Sequence, residues 1–143
     1  MTTPLTFSAA RANIMAVVNQ IVADFTTYPL AVETPNRTLI DLSKQTDPFL
    51  QVVIAAMGGD QAEIGPDPLV RVDGQLVLTA VVKSGAGVAD AEDLRDFVLP
   101  YFSTQNLGGV QLQAAQMVGG RAHLGLWYEP AIIPFYYFTK LHK

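Results

Sequence analysis

The chain has 143 residues, half of them hydrophobic and only 15% charged, with a net charge of -4 and no cysteine. That size fits one domain with a real core, and the composition excludes a disordered chain. The acidic balance opposes non-specific nucleic-acid binding, which needs a basic footprint, and the missing thiol removes disulfides, cysteine nucleophiles and thiolate metal sites together. No stretch approaches the roughly 20 apolar residues of a membrane helix. The short apolar run Ile14 to Val18 is hemmed in by Arg11, Asn13, Asn19 and Gln20, unlike a secretory leader. The expectation is one soluble, intracellular domain over residues 1–143.

A helix is expected from Thr6 or Ser8, either of which can cap it through a side-chain oxygen. Phe7, Ala10, Ile14, Val17, Val18, Ile21, Val22 and Phe25 follow the three-and-four spacing of one helical face. Tyr28-Pro29 is the expected stop, because a residue before proline disfavours the α region. Leu30 to Glu33 reads as a short strand, and residues 34–48 read as a loop marked by Pro35, Asn36, Asp47 and Pro48. Phe49 to Met57 is β-rich, Gly58-Gly59-Asp60 reads as a turn, and Gln61 to Ile64 reads as a brief strand ended by Gly65-Pro66-Asp67-Pro68.

Leu69 to Val72 and Leu76 to Val82 flank Asp73-Gly74, a strong local hairpin signal. The alternative is one long strand with a bulge at Gly74. The second run is apolar on both sides apart from Thr79, which suits a central strand. Gly85-Ala86-Gly87 leads into a second helix, with Asp90 as its expected N-cap and Leu94, Phe97, Val98, Tyr101 and Phe102 as its apolar face. Pro100 should kink or shorten its last turns. Val110 to Val118, Arg121 to Tyr128 and Ala131 to Phe138 read as strands, with Gly119-Gly120 turning the chain. Strands are not each followed by a helix, so a doubly wound parallel sheet is not expected. The expected fold is α+β, a largely antiparallel mixed sheet with two amphipathic helices packed on one face.

The search for chemistry is negative. Gly85-Ala86-Gly87 lacks the lysine and Ser/Thr of a phosphate loop, and Asp90, Glu92, Asp93 and Asp96 crowd the helix start that a phosphate would need. His123 and His142 belong to no metal-binding spacing. Asp60 and Glu63 beside the glycine turn, like the acidic helix start, read as solvated carboxylates. Ser8, Ser43, Ser84 and Ser103 lack a nucleophile-elbow context. No catalytic, cofactor or metal residue is assigned. Were a pocket to lie between sheet and helices, as in a small enzyme or ligand-binding domain, His123, Tyr128 and Glu129 would be its polar lining.

The C-terminal segment stands apart. Six aromatics, the only tryptophan among them, lie between Trp127 and Phe138, and Pro130 and Pro134 interrupt the run. Proline cannot donate to a ladder, so it belongs on a sheet edge, at a strand start or at a bulge, and an apolar aromatic edge strand would be open to another chain. Strand alternation puts Phe135 and Tyr137 on one face and Tyr136 and Phe138 on the other. Few basic residues accompany these rings, so base stacking is not expected. Candidate interface residues are Trp127, Tyr128, Tyr136 and Phe138, with Asp60 and Glu63 at the glycine turn.

Several features in order carry a resemblance. An N-terminal amphipathic helix leads into strands. A strand ending at Gly85-Ala86-Gly87 enters a helix with Leu94, Phe97 and Phe102 on its face. The chain closes on Gly125-x-Trp127 and Ile132-Ile133-Pro134-Phe135-x-Tyr137. Over nearly its whole length it resembles the tail terminator proteins of long-tailed bacteriophages, the lambda-type minor tail protein family and its uncharacterised relatives. The motifs are patterns of order and composition, not a catalytic signature. The resemblance implies an α+β protein that forms a hexameric ring on the tail tube, stops tube polymerisation and presents a head-joining surface. It implies tail tube and head–tail connector proteins as partners, no cofactor, and a place in the virion tail after assembly in the bacterial cytoplasm. Residues 34–48 and 57–68 match no family motif, so no ring contact is carried over, and these loops are candidates for ordering on assembly. Another phage neck or tail-completion protein is the alternative within the same class.

Overall fold

The structure, a computed structural model, describes residues 4–34, 45–61, 68–83, 85 and 87–140. Thr6 sets the start of α1 (Phe7–Asp24): its hydroxyl accepts a 3.1 Å bond from the Ala9 backbone N–H, one of the orphan donors of a first turn. Ala10, Ile14, Val18 and Ile21 form the buried stripe, while Phe7 and Val22 at its margins stay exposed. The helix ends short of the expected Tyr28-Pro29 step. Phe25 takes an extended conformation, and its ring meets Tyr28 and Phe97 edge-on at 4.7 and 5.2 Å. The chain leaves the helix at this aromatic contact, ahead of the proline.

Burial, helped by the negative charges of Asp90 and Asp47, pushes the Tyr28 phenol up to about 12 from its ordinary 10.0. The native state therefore favours the neutral phenol. That contribution is intact below pH 10 and is lost as the pH rises through about 12. Thermal melts between these limits should show a steeper alkaline loss for the wild type than for Tyr28→Phe. Equal slopes would refute the assignment.

β1 (Val32–Glu33) is shorter than expected and pairs parallel with β2 (Phe49–Gln61). The expected turn at Gly58-Gly59-Asp60 is instead part of β2, which continues past a bulge at Met57. The turn glycines serve the bulge, with Gly58 at a φ of 146° that a side chain rarely takes. The brief strand expected at Gln61 to Ile64 falls largely outside the described residues, as do Glu63 and most of the 34–48 loop.

Asp73-Gly74 makes no hairpin. β3 runs unbroken from Leu69–Lys83, antiparallel to β2, and the bulge sits opposite Asp73 and Gly74 on β2 rather than at Gly74 itself. α2 (Val88–Val98) starts at Gly87 without a side-chain cap, so Asp90 lies inside its first turn instead of capping it. Pro100 shortens the helix as expected, into a 3₁₀ turn at Leu99–Tyr101. Val110 to Val118 is not one strand but two short pieces, β5 (Val110–Leu112) and β6 (Gln116–Met117), preceded by β4 (Asn106–Leu107) and followed by β7 (Arg121–His123).

The C-terminal segment is a single strand, β8 (Leu126–Lys140), and it is not an edge. The sheet order is β1-β2-β3-β8-β5-β4, with β6 and β7 also on β8. Pro130 and Pro134 are tolerated because residues four apart turn their backbone nitrogens to the same side. On that side their carbonyls accept from Val118 and Gln113 at 3.3 and 2.8 Å. The missing N–H groups weaken only that ladder, and there the neighbouring chain is broken into β5, β6 and β7. The other ladder, to β3, is continuous from Leu126 to Lys140.

The fold is α+β with a largely antiparallel mixed sheet. The buried side chains of α1 and α2 share one apolar cluster with Leu50, Val52, Leu76, Leu78, Ala80, Val82, Ile133, Phe135 and Tyr137. These strand residues alternate along β2, β3 and β8, so they mark one core face. Burial there also raises the Tyr137 phenol above its ordinary range. As expected from alternation, Phe135 and Tyr137 point into the core, at 1% and 2% exposure.

Candidate functional site: an open sheet face and a strand edge

Cross-strand register builds the opposite face row by row. Phe49, Val81 and Tyr128 form one row, and Gln51, Thr79 and Pro130 the next. Then come Val53–Val77–Ile132, Ala55–Gln75–Pro134, Gly58–Asp73–Tyr136, and Arg71 beside Phe138. The first row is closed over: Phe49, Val81 and Leu126 form a small buried cluster with Ala31 and Tyr128 packed against it. Among the described residues, no helix side chain belongs to that cluster. Beyond it the face opens, with Val53 at 40% exposure and Ile132, Pro134, Tyr136 and Phe138 half-buried.

One end of this face is organised by stacking and charge. The Arg71 guanidinium lies 4.1 Å from the Tyr136 ring centre and its Nε donates to Asp73 at 3.0 Å. Tyr136 and Phe138 meet edge-on at 6.0 Å. Arginine over an aromatic ring keeps its donors available while covering apolar surface, a combination common at interfaces. Tyr128 lies on the same face, with Arg121 6.0 Å from its ring.

The lateral edge of β2 adds a second candidate surface. The Leu50 N–H donates to Ala31 at 3.0 Å, so the even-numbered residues before the bulge turn their backbone groups outward. Among the described residues, no strand pairs with that edge beyond Gln51. Val52 is 1% exposed and so covered, whereas Ile54 and Ala56 keep exposure and are the edge positions that no described strand pairs. Met57, extruded by the bulge, is 64% exposed beside them.

Of the residues singled out from the sequence, Tyr128, Tyr136 and Phe138 share the open face. Asp60 takes a strand position in β2 opposite Arg71. Trp127 turns the other way. Its indole N–H donates to Glu129 Oε1 at 2.8 Å, and Glu129 Oε2 accepts from Arg95 Nη1 at 2.9 Å. This buried network ties β8 to α2. Gly120 packs so closely over it that a Cβ there would lie 2.6 Å from the Trp127 ring.

The structure does not gather the residues of a pocket. His123 is exposed and paired with Leu126 on the side of Tyr128, whereas Glu129 faces α2 and has both oxygens engaged. A cleft of about 280 Å³ lies at the end of β3, lined among the described residues by Val82, Lys83, Gly85, Gly87, Val88 and Trp127. Its walls are apolar apart from Lys83, so they offer no acid–base pair. Among the described residues, no three His, Asp or Glu gather as metal ligands, and no helix is long and apolar enough to cross a membrane.

No family model and no curated protein sequence matches the chain. Among solved structures, a protein whose name describes no activity aligns over 93% of this chain and 98% of its own, with a TM-score of 0.63 and 15% identity. At that identity the likeness shows a shared fold and carries no activity. The β2 edge, unpaired beyond Gln51 among the described residues, was the feature missed in the sequence. Its signal was present in the prolines: spaced four apart, they let the aromatic strand lie inside the sheet, which leaves the edge to another strand.

Proposed function

We propose that this chain is a structural phage tail terminator, a non-catalytic subunit of a ring that sits on the end of the tail tube. The ring stops tube polymerisation and presents the head-joining surface. The observation that carries this reading is the pairing of two candidate surfaces on one subunit: the open aromatic face of β8 and the exposed Ile54–Met57 end of the β2 edge, which no described strand pairs. A ring needs heterologous contacts, in which one patch meets a different patch on the next copy, and a strand edge supplies one half by β-augmentation. The resemblance of the whole chain to the tail terminators supports the same conclusion, and makes the tail tube protein and the head–tail connector its partners. The hexameric ring and the virion-tail location belong to this proposal.

Adding the protein to polymerising tail tube protein tests it. Tubes should stop at an end bearing a ring visible by electron microscopy. A chain that stays monomeric both alone and with tubes, while tube growth continues unchanged, would remove the reading. Val53→Lys with Met57→Lys should leave the fold within about 0.5 kcal/mol of the wild type, since both side chains are exposed. The same pair should abolish ring formation, because lysine on an edge blocks strand addition. Sedimentation velocity reads the loss.

A further inference from the structure

We propose that Leu124 is an apolar knob that seats in the Val82–Val88–Trp127 cleft of a neighbouring copy of this chain. The proposal rests on the ring reading and names one of its contacts. Leu124 and Gly125 are the central residues of the two-residue turn between β7 and β8, with φ of 49° and 78°. Positive φ at both positions is the I′ geometry, which favours Asn-Gly because a Cβ crowds the following carbonyl there and only a short polar side chain compensates by bonding the local backbone. A leucine in that position is strained, and here it is also 86% exposed, more than any other large hydrophobic among the described residues. It belongs to neither buried cluster. The turn accounts for the backbone angle, but the exposed leucine side chain packs on nothing among the described residues, which points to a contact outside the subunit.

The complementary surface lies on the same chain. Pairing of Leu126 with Lys83 and of Trp127 with Val82 sets the cleft beside the hairpin. Val82, Val88 and Trp127 make its apolar walls, and a Cβ at Gly85 or Gly87 would meet no atom within 4 Å, so its mouth is open. A cavity of about 150 Å³ accepts benzene, so a cleft of about 280 Å³ has room for a leucine side chain. The exposure of Leu124 shows that it does not fill its own cleft. Each copy thus carries a knob and, next to it, a socket made of different residues, and a contact between unlike patches can propagate from copy to copy until rotation closes it.

The absence of cysteine makes the test direct. Leu124→Cys and Val88→Cys chains, mixed in the assembled state on tail tubes and mildly oxidised, should form a disulfide between copies. Leu124→Asn should relax the turn and raise Tm by roughly 3 °C, while weakening assembly about tenfold or more. Val88→Asp sits at the first helical position, where an acid suits the dipole. It should keep the fold and lose assembly likewise. Normal assembly by either folded variant overturns the knob and leaves the ring reading standing. A wild type that stays monomeric with tubes overturns both.

Discussion

Glu129→Leu is expected to cost about 3–5 kcal/mol of stability, since it breaks a buried ion pair from one side. Glu129 is 5% exposed, and its two oxygens are held by Arg95 and by the Trp127 indole. Leucine leaves the guanidinium without its partner in a place that water barely reaches: the Arg95 side chain is 15% exposed, and its Nε already lacks a hydrogen bond. The indole N–H is orphaned in the same step, adding the cost of an unmade bond. The pair itself is worth far less than its breakage, because desolvation of both charges offsets most of their attraction. Arg95→Met combined with Glu129→Leu should therefore recover most of the loss. Urea unfolding of both single variants and the double variant measures this. A single-variant loss below about 1 kcal/mol, or a double variant no better than the single, would show that the network is not buried in solution.

The sequence and the structure agree where a side-chain period decides the outcome. The stripe of α1 gave Ala10, Ile14, Val18 and Ile21 as core, and alternation separated Phe135 and Tyr137 from Tyr136 and Phe138. They part where a local breaker meets a long-range constraint. Pro130 and Pro134 look like stops, yet their spacing confines both defects to one ladder. Asp73-Gly74 looks like a turn, yet β8 pairs along the whole of β3 and holds it straight. Glu129 could not be matched with Arg95 from the sequence, because the contact joins residues 34 apart through the packing of α2 on β8. The candidate face was half legible for the same reason. Its aromatic rows follow from alternation, but among the described residues β1 pairs β2 only as far as Gln51, and that depends on where neighbouring strands stop. Leu124 was invisible to composition: its meaning lies in a backbone angle.

Gly74→Ala should cost about 3 kcal/mol, the upper range for overfilling a packed site. Glycine inside a strand marks a close approach by another group, and here two groups approach. The cross-strand partner Phe135 lays its ring over the glycine, where a Cβ would collide with the ring edge, and the Ala55 carbonyl would lie 2.6 Å from the same atom. The ring is 1% exposed in the centre of the core, so it cannot swing aside without displacing its neighbours. The carbonyl belongs to β2 just before the bulge, so moving it disturbs the ladder that carries the β2 edge. Phe135→Leu in the Gly74→Ala background tests the division between the two. It removes the ring collision but not the carbonyl one, so it should restore only part of the loss beyond its own cavity cost. Full restoration would assign the whole effect to the ring. A Gly74→Ala variant as stable as the wild type would mean that β3 does not keep this register in solution. The glycine read as a turn from the sequence would then be free to act as one.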